Sequence, residues 1–210
     1  MAAFYSDNPS KIFRLGDVVT GFHHPAFQIH TPGALEKSTD VRINLTRPSY
    51  FAVMTPCCSI EDQSISLAPL IEIRHRFFEI PHLAEDLTRL NSHMRPEDSL
   101  PPKAWERMTP EKKVELLARG PSYIFIECFA YEPNALLKTY SLKKGTNEWP
   151  AVGHRMVDFK QIFRVECDQI GRMRDAPEGT KLLELSIPIR SQLREKLAAF
   201  FARIPEEDAA

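Results

Sequence analysis

Apolar and polar positions alternate most clearly in "YFAVMTPCCSIEDQSISLAPLIEI", residues 50 to 73, where two apolar runs flank a polar stretch. That pattern predicts a β-hairpin with strands in "SYFAVMT" and "SISLAPLIEI" and a turn in "PCCSIEDQ". Upstream, "KIFRLGDVVTGF" predicts a first strand built on Leu15, Val18 and Val19, introduced by a turn at Gly16 and Asp17. Residues 23 to 46 alternate poorly apart from "VRINL" and read as a long loop with a strand at its end.

The period changes near residue 75. Leu83, Leu87 and Leu90 recur at helical spacing, and "TPEKKVELLARG" carries Thr109 as N-cap, Pro110 at the first helical position and Gly120 as a stop. Residues 75–120 are thus expected to form a helical insertion. Within it, Trp105 in the charged, proline-rich stretch "MRPEDSLPPKAWERM" is either a docking residue or a plug under its own helix. Strand chemistry returns in "PSYIFIECFAYE", with "KTYSLKK" expected to pair with it across "PNA", and again in "HRMVDFKQIFRVE". After Pro188, the spacing of Ile189, Leu193, Leu197, Phe200, Phe201 and Ile204 predicts a helix with one apolar stripe that packs on the sheet. These elements predict an α+β fold with mostly antiparallel strands in a single domain, 1–210. Its sheet core comes from 11–74 and 121–187, with the insertion at 75–120 and a C-terminal amphipathic helix at 188–204.

Composition adds limits. Seventeen prolines against eight glycines favour short elements with stiff connections. No stretch approaches the roughly 18 apolar residues of a membrane span, and "MAAFYSDNPSKIF" lacks the pattern of a secretory leader, so a cytoplasmic protein without a membrane partner is expected. There Cys57, Cys58, Cys128 and Cys167 would stay reduced. A net charge of -1 argues against broad coating of nucleic acid and leaves room for one basic face.

Three segments, "GDVV", "RPSYFAVMTP" with the following "ISLAPLI", and "VDFKQIFRV" followed by an amphipathic helix, together resemble the MazF/PemK family of bacterial toxin-antitoxin proteins. The resemblance implies an SH3-like β-barrel, here elaborated by the helical insertion, and a component of a toxin-antitoxin or host-defence system. Family members that cleave RNA do so without metal, an arginine steadying charge at the scissile phosphate while nearby polar groups move protons. Arg47 matches that arginine. Where the family commonly carries Thr or Ser after the apolar strand this chain has Ile71, which can move no proton. The favoured reading is therefore a largely non-catalytic barrel that binds nucleic acid or a partner protein of the same system. The alternative is a metal-independent, sequence-selective endoribonuclease using Arg47 with His23 and His24, whose loop overlies the RNA groove in the family. Barrels of this family usually pair, so a homodimer is a further expectation.

The remaining candidate chemistry is residue by residue. From Asn134 to Arg174 the chain is basic, and Lys143, Lys144, Arg155 and Lys160, interleaved with Tyr131, Tyr140, Trp149, Phe159 and Phe163, offer with Arg47 a candidate single-strand face; the competing reading makes those aromatics core. Cys57 and Cys58 read first as packing in the hairpin. A zinc site would need them to converge with His23, His24 and His75, and their spacing lacks the usual paired signature. A reactive thiol there would need His23 or His24 as its base. Asp17 reads as a turn or cap residue. No cofactor is expected.

Overall fold

The computed structural model describes residues 3–29, 41–56, 60, 64–144, 147–166 and 180–203. In chain order the strands are β1 (Val18–Thr20), β2 (His24–Ile29), β3 (Val41–Thr46), β4 (Phe51–Val53) and β5 (Ser64–Glu72). Four short helices follow, α1 (Pro81–Glu85), α2 (Pro96–Ser99), α3 (Pro102–Glu106) and α4 (Pro110–Ala118), with 3-10 turns at His75–Glu79 and Leu87–Asn91. Then come β6 (Cys128–Tyr131), β7 (Tyr140–Lys144), β8 (Asn147–Val152), β9 (Arg155–Asp158), β10 (Phe163–Glu166), β11 (Thr180–Leu183) and the closing helix α5 (Ile187–Ala202). The fold is α+β, with every described strand pairing antiparallel. None of the described helices is long and apolar enough to cross a membrane.

The chain divides into two compact units, Asn8–Leu70 with Ile162–Glu184, called here the sheet unit, and Met1–Asp7 with Ile71–Gln161 and Leu185–Ala210, the helical unit. Residues 121–161, expected in the sheet core, thus group with the helices.

In the sheet unit the strand order is β11-β1-β4-β5, with β10 on the other edge of β5. Strands from all three segments that carried the family resemblance, Val18–Val19, Phe51–Val53 and Phe163–Val165, meet in this one ladder. Among the described residues no pairing joins β10 to β11. The expected hairpin is present: Phe51, Ala52 and Val53 lie opposite Pro69, Ala68 and Leu67. Its residues are buried on both faces, which is why they read as continuous apolar runs. Phe13, Val19, Phe22, Phe51, Ile65 and Leu67 form the core, each buried large side chain contributing about 1.5–3 kcal/mol relative to exposure.

Two readings need correction here. The stretch taken as a loop from residue 23 contains β2, whose six residues all pair with β3. Pro25 hid it, yet a two-stranded ribbon has free edges that tolerate a proline. "VDFKQIFRV" is not one strand either: Asp158 Oδ1 accepts from Lys160 N at 3.0 Å and caps a 3-10 turn at Phe159–Gln161 that separates β9 from β10.

In the helical unit, β6 pairs with β9, and β7 pairs with the adjacent β8 rather than with β6 as expected. Two residues separate β7 from β8 in sequence, so their closure costs little entropy. Tyr140 fixes β7 from its side chain, accepting from Ile73 N at 2.7 Å and donating to His154 O at 2.8 Å. The core gathers Ile73, Phe77, Leu83, Leu87, Leu90 and Met156. Helix α4 begins and stops as its sequence predicts: Thr109 Oγ1 accepts from Lys112 N, and Gly120 takes φ +73°. On α5 the buried face carries Leu193 and Lys196, while Phe201, expected on the packed stripe, is 68% exposed and Ile204 lies outside the described residues.

Candidate functional site

The sheet unit presents its chemistry where β1 hands over to the β2–β3 ribbon. Gly21, at φ +97°, turns the chain in a region that side-chain-bearing residues rarely enter. Thr20 Oγ1 fixes the turn by donating to Ser49 O at 2.9 Å. Phe22 then drops into the core and packs edge-on against Phe51, with ring centres 6.1 Å apart, and Phe51 meets Phe163 at 5.9 Å. The His24 ring continues this aromatic row, 5.0 Å from Phe163.

Register does the rest. His24 lies opposite Thr46, whose Oγ1 donates to His24 O at 3.3 Å. His23 and Arg47 are each one residue beyond that pair, so both sit at the same end of the ribbon. Both are exposed. Neither makes a hydrogen bond or ion pair among the described residues. A planar fork of five donors at the same ribbon end as an imidazole is a fitting receptor for a phosphate oxygen. The sequence singled out Arg47, His23 and His24 but not Thr46, and it named Phe163 only for the basic aromatic face; the places of these two depend on pairings across 22 residues in one case and more than a hundred in the other. Along the same ribbon Ile43 and Leu45, two apart and so on one face, are 60% and 67% exposed.

The other expected nucleic-acid residues belong to the helical unit. Lys143 is exposed on β7, the side chain of Lys144 lies outside the described residues, and Lys160 is exposed in the 3-10 turn. Arg155 is tied into its own hairpin: its guanidinium lies 4.6 Å over the Tyr140 ring and Nη2 donates to Lys138 O at 2.6 Å. Tyr131 and Phe159 are buried, so these two aromatics are core and offer no stacking platform. The side chain of Trp149 lies outside the described residues. Trp105, on α3, is half-buried with the Lys113 ammonium of α4 5.7 Å from its ring centre.

Cys57 and Cys58 lie outside the described residues. Among the described residues no three of His, Cys, Asp and Glu gather as a metal site would require, and His75 falls in the helical unit while His23 and His24 fall in the sheet unit. Cys128 is a buried thiol held by Phe125 O, and burial pushes it up to about 11, far from the reactive range. Asp17 does cap its turn, accepting from Arg14 N at 2.7 Å, and it also enters a buried ionic cluster that the sequence did not announce.

Comparison with models of protein families, with curated proteins and with solved structures finds no match to this chain.

Proposed function

We propose that the sheet unit is an SH3-like barrel of the MazF/PemK kind that binds single-stranded nucleic acid, RNA foremost, at the His24–Thr46 end of its ribbon. On this reading it is a largely non-catalytic component of a bacterial toxin-antitoxin or host-defence system and works beside a partner protein of that system. One observation carries the reading: the pairing of His24 with Thr46 brings Arg47 and His23 together, exposed, at the rim of an aromatic row. The five-stranded antiparallel ladder supports the barrel assignment. Ile71 supports binding over cleavage, because it is partly buried against the apolar core of the helical unit and carries no hydroxyl.

Fluorescence anisotropy with labelled single-stranded RNA of mixed sequence tests this directly. Binding in the micromolar range or tighter, weakened at least tenfold by Arg47→Ala, is the expected outcome. Equal binding by the two proteins, or none by either, defeats it.

A second reading, cleavage of RNA, is favoured by the same juxtaposition, since an arginine and a histidine at one rim can divide charge stabilisation and proton transfer between them. It requires chelator-insensitive cleavage that disappears in both Arg47→Ala and a His23→Ala, His24→Ala double variant. Intact RNA after long incubation with protein that demonstrably binds it excludes this reading and leaves the first standing.

A further inference from the structure

Inside the sheet unit, three chain segments meet on a single ammonium group. Lys181 Nζ on β11 lies 2.6 Å from Asp17 Oδ2, 2.7 Å from Glu184 Oε2 and 2.8 Å from Ile12 O, which uses all three of its donors. Glu184 Oε2 also accepts from Ser10 N at 2.8 Å and Ser10 Oγ at 3.0 Å, and Arg14 Nε lies 3.5 Å from Glu184 Oε1. The backbone of Asp17 is fixed as well, its carbonyl accepting from Val53 N at 2.9 Å, while Gly16 N donates to Val53 O at 2.7 Å. Almost all of this is out of water: Asp17 is fully buried, and the side chains of Lys181 and Glu184 are 7% and 9% exposed.

The cluster is unevenly satisfied. Asp17 Oδ2 takes both Lys181 and Arg14 N, yet Asp17 Oδ1 is buried with no hydrogen-bond donor among the described residues. A carboxylate oxygen left bare in a dry setting is costly. Two carboxylates here share one nearly buried cation, Lys181, because Arg14 is 37% exposed and approaches Glu184 alone. The least disruptive remedy is a proton on Oδ1.

We propose that this cluster is a proton-operated latch: in mildly acidic solution Asp17 takes up one proton on Oδ1 while the fold stays intact, and the N-terminal segment, β1 and β11 hold together more firmly. Among the described residues the charged groups that face Asp17 are Arg14 from the preceding segment, Lys181 on β11 and Glu184 just past its end, and β4 offers it the backbone of Val53. Burial pushes Asp17 up to about 6, against the pull of Lys181 and of the Arg14 N–H, and the Glu184 charge adds to the rise. A carboxyl whose folded value stands above its unfolded one stabilises the fold fully below the unfolded value and loses that contribution as the pH climbs through the folded one. The window therefore runs from about 4 to about 6. The sign is opposite to that of an ordinary salt-bridged carboxylate, which weakens in acid. Since β1 leads through Gly21 into Phe22 and His24, the latch also sets how firmly the base of the ribbon is held.

Carboxyl carbon titration of the folded wild-type protein by NMR is the primary experiment, with an Asp17 midpoint near 6 expected. A midpoint at or below 4 overturns the proposal. Hydrogen exchange of the β1 and β11 amides, corrected for intrinsic rates, supplies the second measurement: between pH 7.5 and 4.5 wild-type protection should rise, by up to roughly 30-fold, and in Asp17→Asn it should stay flat. Equal pH dependence in the two proteins also overturns it. Should Asp17→Asn not fold, the NMR midpoint of the wild type decides alone.

Discussion

The Asn91 side chain meets the Ala130 backbone twice, Nδ2 donating to its carbonyl at 2.8 Å and Oδ1 accepting from its N–H at 2.7 Å. The amide thus stands in for a neighbouring strand on β6, and it is 2% exposed, so water cannot replace it. Asn91→Ala would leave a buried donor and a buried acceptor unsatisfied at once. At 1–3 kcal/mol for each, a loss of about 3 kcal/mol is expected from urea unfolding of the full chain. A loss under about 0.5 kcal/mol, the usual bound for a surface substitution, would show that the β6 backbone finds other partners.

Lys196 is buried on α5 with its ammonium bonded to Leu90 O and 5.6 Å from the Tyr123 ring centre. Burial lowers it to about 8, although Cys128 and Glu127 pull the other way. A lysine depressed in the folded state binds its proton more weakly there than in the unfolded chain, so stability rises with pH between about 8 and the ordinary lysine value of 10.5. The rise should approach about 3 kcal/mol for a fully desolvated group. Lys196→Met should flatten that slope and stabilise the protein at pH 7 by about 1 kcal/mol, the relief of a buried charge outweighing one lost bond to Leu90 O. Thermal unfolding of both proteins at pH 7 and pH 9.5 separates the outcomes: parallel pH responses would mean that Lys196 keeps its ordinary affinity for the proton.

Ala151 holds φ +58° within β8 and is exposed, so no packing repays the strain of a left-handed alanine. Ala151→Gly should raise stability by about 1 kcal/mol, the usual left-handed penalty. A lower melting temperature in the glycine variant would mean that the added freedom of the unfolded chain outweighs the relieved strain.

The contrast between these positions explains what could be read in advance. The β4–β5 hairpin and α4 were legible because their signals are local: apolar runs bounded by polar residues, and Thr109, Pro110 and Gly120 at fixed offsets. β2 was not, because Pro25 breaks the alternation and only its pairing with β3 makes it a strand. Lys196 carried no signal of its own because lysine is rarely buried, although its place between Leu193 and Phe200 at spacings of three and four is that of a buried face. At the site, Arg47 stood out through the family resemblance and the two histidines by residue type, but the placing of His23 and Arg47 at one end of the ribbon is a matter of register, set by non-local hydrogen bonds. The Lys181 cluster joins residues some 165 positions apart, and no periodicity announces such a contact.

Arg47 offers the sharpest test at that site, because its effects on stability and on binding should separate. Its exposed side chain makes no hydrogen bond or ion pair among the described residues, so Arg47→Ala should change the free energy of unfolding by no more than about 0.5 kcal/mol. If the guanidinium contacts a phosphate, the same variant should weaken RNA binding across unrelated sequences and reduce the slope of log affinity against log salt by about 1. Arg47→Lys should restore the slope but not all of the affinity, since a point charge replaces a two-pronged donor. Anisotropy titrations from 50 to 300 mM salt, run on wild type and both variants, measure all of this together. An unchanged slope in Arg47→Ala would place the contact elsewhere, and a sequence-dependent loss would mean that Arg47 reads a base rather than the backbone.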